Sequence, residues 1–335
     1  MFPISSLFFF FTLLMGSLLS ISSSSWFGAW IGLELNLLSF IPLIINKMNP
    51  YSSEASLKYF LIQALASTLI ILSSSLMIYT SNLTYTLTLM ALLLKLGAAP
   101  FHLWFPQVME GLSWMQTIIL MTIQKLAPMF LISYLTTSPI IIMIIYISAM
   151  LSAYMGAIGG LNIMKLRKIM AFSSINHMSW MLIALTINDT MWMMYFSFYA
   201  LISSSVVFLF HSFQSNSISD LLNNNHTSLF PTLSVPLSLL SLGGLPPFTG
   251  FVPKWLMIQI MLTHNMYIPL FFLLSSALIT LYFYLRMLIP YIIILTPIFS
   301  FNLKIMSHSS SSSFMPIIIF TNMIGMFIPL LFLLM

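Results

Sequence analysis

The stretch Leu92–Gln107, LLLKLGAAPFHLWFPQ, decides the reading of this chain. It opens as an apolar helix, carries Lys95 into that helix, and is then stopped by Gly97 and Pro100, with Pro106 beyond them. Proline supplies no backbone donor and its ring collides with the preceding turn, so one continuous α-helix through the stretch is excluded. A second stretch, Leu242–Trp255 (LGGLPPFTGFVPKW), repeats the pattern: Gly243, Gly244, Pro246, Pro247, Gly250 and Pro253 come first and Lys254 directly after.

Composition sets the solvent in which these breaks must be read. Hydrophobic residues make up 60% of the chain and charged residues 4%, a balance that no water-exposed surface can carry. At about 20 apolar residues per span, the 335 residues leave little beyond membrane helices and short connections. The formal charge of +5 comes from scattered Lys and Arg, with no stripe or aromatic-interleaved patch, and nucleic acid is excluded as a partner. Cysteine is absent, which removes disulfides, thiolate metal sites and iron–sulfur ligation. No GxGxxG follows a strand, so dinucleotide binding has no motif. The N-terminal segment lacks the basic and Arg-rich features of signal or transit peptides and is expected to stay as a first span.

Hydropathy and punctuation predict an all-α, polytopic membrane protein of about eleven transmembrane helices, a single integral membrane domain over 1–335. The spans fall near 3–21, 26–46, 57–79, 86–104, 114–135, 139–161, 169–187, 191–213, 234–263, 267–289 and 314–334. Threaded alternately, they bring Lys47, Lys58, Lys165, Arg167, Lys168, Arg286 and Lys304 to the N-terminal side, and no Lys or Arg to the other. That bias predicts the N-terminus on the basic, negative-potential face and the C-terminus opposite. The polar loop Gln214–Ser228 and the run Ser309–Ser313 then lie on the basic face. Interrupted apolar segments in corresponding places of two halves mark inverted-repeat transporters, whose ion sites sit at broken helices. The halves are expected over about 57–161 and 162–290.

Within these spans lie Glu34, Lys95, Lys125, His177 and Lys254. An ionisable group at the bilayer centre costs at least about 2.5–3.5 kcal/mol and persists mainly along ion or proton paths. Lys95, Lys125 and Lys254 are too deep to reach the interface, and a lysine, unlike an arginine, can release its proton there. Glu34 needs a cation or a proton to remain at its depth. Two readings stand for Lys58, a relay residue or a side chain snorkelling from a helix end, and snorkelling suffices for Arg286. His177 and His102 fit either a relay or a hydrogen-bonded core histidine.

The strings Trp26–Ile44, Glu54–Leu61 (EASLKYFL), Leu92–Pro106, Gln124–Pro128 (QKLAP), Leu166–Met181 and Ser241–Trp255 resemble the antiporter-like membrane subunits of respiratory complex I, the NADH dehydrogenase of mitochondria. The 28 methionines beside no cysteine resemble the usage of mitochondrially encoded, invertebrate, arthropod-like chains. The resemblance implies a core membrane-arm subunit of a proton-translocating NADH:ubiquinone reductase in the mitochondrial inner membrane, with the N-terminus in the matrix. It implies that Glu34 pairs with Lys95, that Lys125 links two half-channels, that Lys254 serves the second break, and that Lys58, His102 and His177 belong to the same hydrated network. NAD, FMN, iron–sulfur clusters and ubiquinone would all be held by other subunits. The partners would be neighbouring antiporter-like subunits and membrane lipids. Two alternatives use the same features: a subunit of a cation/proton antiporter, or a structural membrane subunit needed for assembly.

Lys95→Ala is expected to leave the complex assembled but to lower proton-coupled quinone reduction severely, since it removes a carrier and leaves Glu34 without its charge partner. Lys95→Arg should rescue only in part, because a guanidinium stays charged. Normal coupled turnover of Lys95→Ala, measured in purified complex, takes this lysine off the path; loss of assembly favours the structural subunit.

Overall fold

The structure, a computed structural model, describes residues 4–45, 49–76, 81–136, 138–223, 229–295 and 315–323. Lys47, Lys304, His226, His308 and the run Ser309–Ser313 lie outside the described residues, as does the span expected near 314–334 beyond residue 323. Among the described residues every regular element is a helix: α1 (Ile4–Ser22), α2 (Trp26–Ile44), α3 (Pro50–Leu76), α4 (Ser81–Leu96), α5 (Trp104–Gly111), α6 (Trp114–Met121), α7 (Ile123–Ser133), α8 (Pro139–Gly159), α9 (Leu166–Ile187), α10 (Asp189–Ser212), α11 (Ile218–Asn223), α12 (Leu229–Gly243), α13 (Phe251–Thr263), α14 (Tyr267–Leu295) and α15 (Met315–Met323). Eight helical runs among the described residues are long and apolar enough to cross a membrane, with α6 and α7 counted as one run; α4, α12 and α13 are shorter apolar helices. The chain divides into two compact units, Met1–Ser152 and Ala153–Met335.

In the first unit α1 and α2 pack closely through small residues. A Cβ on Gly32 would stand 2.5 Å from the Ser20 amide nitrogen, and one on Gly16 would stand 2.9 Å from the Gly32 carbonyl oxygen. Such small-residue contacts let helices associate where apolar burial gives no advantage over lipid. The many buried serines are satisfied on their own helices: Ser20 donates to the Ser17 carbonyl at 2.7 Å, Ser67 to Ala64 at 2.8 Å and Ser73 to Ile70 at 2.9 Å. α3 begins at Pro50, two turns before the expected start at 57. Hydropathy undervalues the polar Ser52, Ser53 and Glu54, but the Asn49 side chain accepts the Tyr51 amide at 3.2 Å and Pro50 suits a first helical position.

In the second unit α9 is the most deeply buried span and pairs with α10 as a hairpin closed at Asn188. The opposite end of that hairpin is tied together. Leu166 N–H donates to the Asn216 carbonyl and Ile218 N–H to that of Met164, both at 3.0 Å, and the Arg167 guanidinium donates to Asn216 Oδ1 at 2.7 Å. Arg286, arriving on α14, donates to the Leu161 carbonyl. Residues 161–168 and 214–218 therefore share one end, as the positive-charge tally requires. Ser217 and Asp220 cap each other at the start of α11. The hydrogen bonds from Ser217 and Asn216 hold the Asp220 carboxyl below the usual carboxylate range.

Single cysteines placed at 163, 189 and 216 of this cysteine-free chain should report that hairpin: a membrane-impermeant thiol reagent in oriented membranes reaches 163 and 216 from one side and 189 from the other. Labelling of 163 and 189 from the same side refutes it. Gly250→Ala should also be destabilising, because its Cβ would fall 1.7 Å from the Ser241 carbonyl oxygen. Overpacking of that kind costs about 1–3 kcal/mol or more. A wild-type melting temperature for the purified Gly250→Ala complex would contradict this.

Candidate functional site

The two glycine–proline stretches fold in the same way. α4 ends on Gly97, φ +70°, with Gly97 N–H donating to the Leu94 carbonyl and Ala98 N–H to that of Leu93, both at 3.2 Å. α12 ends on Gly244, φ +77°, with Gly244 N–H on Ser241 at 3.1 Å and Leu245 N–H on Leu240 at 3.4 Å. These are paired Schellman closures, and their left-handed residue is the one glycine adopts without strain. Pro100 and Pro247 follow at the same spacing, and the chain resumes as α5 at Trp104 and as α13 at Phe251. Pro106 and Pro253 fall in the first turns of those helices, where a missing N–H is harmless. The second break thus lies between Gly243 and Phe251 and closes before Pro253.

Each break leaves carbonyls without their intrahelical donors, and polar side chains take them up. At the first, Gln63 Nε2 donates to the Lys95 carbonyl at 3.3 Å, and Trp104 Nε1 joins the Gly97 N–H as a second donor to the Leu94 carbonyl at 3.1 Å. At the second, Pro247 cannot serve the Gly243 carbonyl, and Lys254 Nζ donates to it instead at 2.8 Å. The lysine lies so close over Gly244 that a Cβ there would stand 2.9 Å from Nζ.

Lys125 sits beside a third interruption that hydropathy did not reveal. Thr122, φ −114° and ψ −79°, separates α6 from α7; its hydroxyl donates back to the Ile118 carbonyl at 2.7 Å, and Lys125 N–H donates to the Thr122 carbonyl at 3.0 Å. Pro128, inside α7, removes the donor that would serve Gln124. That proline was the available signal.

Lys95 and Lys125, on different helices of the first unit, line one small cavity of about 20 Å³, room for about one water. Its other polar walls are Asn36, Tyr59, Gln63 and Gln124. Tyr59 donates to Gln124 Oε1 at 3.4 Å, and Gln124 Nε2 reaches the Asn36 carbonyl at 3.5 Å. Lys125 Nζ lies 5.0 Å from the centre of the Phe105 ring, within cation–π range. Asn36 is 2% exposed, and its side-chain oxygen and nitrogen have no partner among the described residues, so its hydrogen-bonding capacity remains free toward a polar cavity. The uncharged residues Asn36, Tyr59, Gln63 and Gln124 gave no charge signal in the sequence.

Glu34 acts on both Lys95 and Tyr59 through space, but no ion pair within 4.0 Å joins it to Lys95 among the described residues. Its Oε2 is shut off from solvent with no hydrogen-bond partner there. Lys58 pairs with Glu54 at 2.7 Å on the exposed side of α3 and does not line the cavity. His102 lies buried inside the first break, its Nδ1 without a partner among the described residues. His177 lines a narrow second-unit crevice with Tyr195, Tyr199, Ser241, Gly250 and Pro253. Its Nδ1 is 3.0 Å from the Tyr195 hydroxyl, and this histidine therefore faces the edge of the second break.

This geometry has parallels among known proteins. Residues 23–88 and 78–280 match the family described as NADH:quinone oxidoreductase/Mrp antiporter, TM. NADH-ubiquinone oxidoreductase chain 2 of Anopheles gambiae is 50% identical over 85% of both chains, and that of Mus musculus 39% identical over 92% of both. In the solved respiratory complex I of Thermus thermophilus, one chain superposes with a TM-score of 0.81 at 21% identity, over 98% of this chain and 79% of that one. A chain of the Mrp complex from Dietzia sp. DQ12-45-1b gives 0.75 at 17%, over 82% of this chain and 58% of that one. The chain belongs to the NADH:quinone oxidoreductase/Mrp antiporter membrane family, and within it to the NADH-ubiquinone oxidoreductase chain 2 proteins.

Proposed function

We propose that this chain is a membrane-arm subunit of the proton-pumping NADH:ubiquinone oxidoreductase and that Lys95, Lys125 and Lys254 are its proton-carrying groups. The observation that carries the reading is the shared cavity: two lysines from separate helices, each beside a helix interruption, open on one polar space. Such a space admits water, and a protonated lysine can hand its proton to that water and take one back. Glu34 supplies the control. Its charge reaches Lys95 and Tyr59 without contact, so a change in the surroundings of Glu34 alters how readily Lys95 holds a proton, and coupled groups then titrate as a set.

Lys254 performs the same service in its own unit, with His177 and Tyr195 as the adjoining hydrogen-bonded pair. His102 and Lys58 stand lower in the order: the first is buried in the break, and the second is engaged on the surface of α3. NAD, FMN, the iron–sulfur clusters and ubiquinone belong to other subunits on this reading, because the chain has no cysteine to ligate a cluster and no dinucleotide motif. The location is the mitochondrial inner membrane, with the N-terminus in the matrix, supported by the animal relatives and by the charge bias. The likeness to an Mrp complex chain favours a free antiporter only at the level of fold, whereas the chain 2 relatives match along most of the chain. Copurification with peripheral redox subunits and rotenone-sensitive NADH oxidation would separate the two.

In complex reconstituted into vesicles, Glu34→Gln and Lys125→Ala are expected to lower NADH-driven proton uptake by roughly tenfold or more, the scale of losing a positioned proton-transfer group. Lys58→Ala should cost much less. Equal losses for Lys58→Ala and Lys125→Ala would return Lys58 to the path, and undiminished uptake in Lys125→Ala would sink the proposed route through the cavity.

A further inference from the structure

The second break is held by a residue from the last described helix. Asn322, on α15, is 1% exposed. Its backbone carbonyl accepts the Thr249 N–H at 3.2 Å, at the far end of the break, and its Oδ1 lies 3.0 Å from the Ser241 hydroxyl, in the last turn of α12 before the break, sharing that single O–H with the Ser238 carbonyl at 2.7 Å. Ser241 is itself the hub of the closure, since its carbonyl accepts the Gly244 N–H and lies where a Cβ on Gly250 would be. Asn322 therefore spans the interruption from outside. Two further polar groups there, Asn322 Nδ2 and Thr249 Oγ1, are buried with no partner among the described residues and keep hydrogen-bonding capacity to spare.

We infer that Asn322 is a positioning residue for Lys254: it clamps both ends of the break, fixing the Gly243 carbonyl against which the lysine amine is set. Among the described residues two side-chain ties hold the break, the Lys254 amine on the Gly243 carbonyl and Asn322 Oδ1 on the Ser241 hydroxyl. The second does not depend on what Lys254 does with its proton, so it keeps the frame constant while the lysine is loaded and unloaded. The inference rests on the reading of Lys254 as a proton site.

The test uses assembled complex in vesicles, with NADH-driven proton uptake, the NADH and quinone KM values, and amide hydrogen exchange over 244–250 measured together. Asn322→Leu and Ser241→Ala are each expected to raise exchange across 244–250 and to lower proton uptake several-fold with both KM values unchanged. The double variant should be no worse than the more severe single, as for two ends of one contact. Unchanged exchange and uptake in both singles, or losses that add in the double, overturn the inference. If Asn322→Leu does not assemble, Ser241→Ala decides alone, since it removes the same side-chain contact from the other end and leaves the Asn322 side chain intact. Lys254→Ala, run in parallel, separates the two readings: full proton uptake there beside a loosened break in Asn322→Leu removes Lys254 as a proton site and keeps the clamp, while the reverse pattern removes the clamp alone.

Discussion

No backbone amide or carbonyl can stay unpaired where hydrocarbon replaces water. That constraint makes this chain helical and turns its serines back onto the preceding turn. It also makes every interruption of a helix a place where polar groups must gather. Gly97 and Gly244 close their helices by bonding backward, and what they leave open is covered by Gln63 and the Lys254 amine, with Trp104 adding a second donor at Leu94. The polar chemistry follows from the breaks: prolines strand carbonyls, carbonyls recruit donors, and the recruited donors include a titratable one.

Charge then works at a distance. Inside a low-dielectric interior two charges about 4 Å apart interact by about 4 kcal/mol at an effective dielectric of 20, against about 1 kcal/mol in water. Glu34 and Lys95 need no contact to influence each other, and the absence of one has a benefit. A buried contact pair is strongly destabilised when either partner loses its charge, which would oppose a proton leaving Lys95. Held apart, with Tyr59 also within the field of Glu34 and facing the cavity, the two can change charge states without breaking a bond that the fold requires.

The breaks at Gly97 and Gly244 were legible because glycine and proline leave little conformational choice, and the buried lysines were legible because ionisable groups are rare in lipid. The break at Thr122 was not. A threonine donating to its own preceding turn looks in sequence like any other helical residue, and only Pro128 hinted at the fault. The start of α3 was misread because a span scored by hydropathy discounts the Asn49–Pro50 cap. Asn36, Tyr59, Gln124 and Asn322 were silent because neutral polar residues carry no charge signal and declare their role only through neighbours far along the chain. The Glu34–Lys95 pairing came from resemblance, and no ion pair within 4.0 Å joins the two among the described residues.

The matched breaks carry their lysines on opposite arms, and the difference has a physical consequence. Lys95 precedes its glycine; its own carbonyl is served by Gln63, while the cavity it lines is shared with Lys125. Lys254 follows its glycine and donates to the carbonyl that Pro247 leaves open. An ammonium has three N–H donors and a neutral amine still has two, so Lys254 can keep that bond after giving up its proton, weakened by the loss of its charge. Loss of a proton at Lys254 would therefore leave the break with a donor still in place. Arginine could make the same bond but could not change charge, and glutamine could make it but has no proton to exchange. Lysine is the side chain that can replace a missing backbone donor and carry a proton from the same atom.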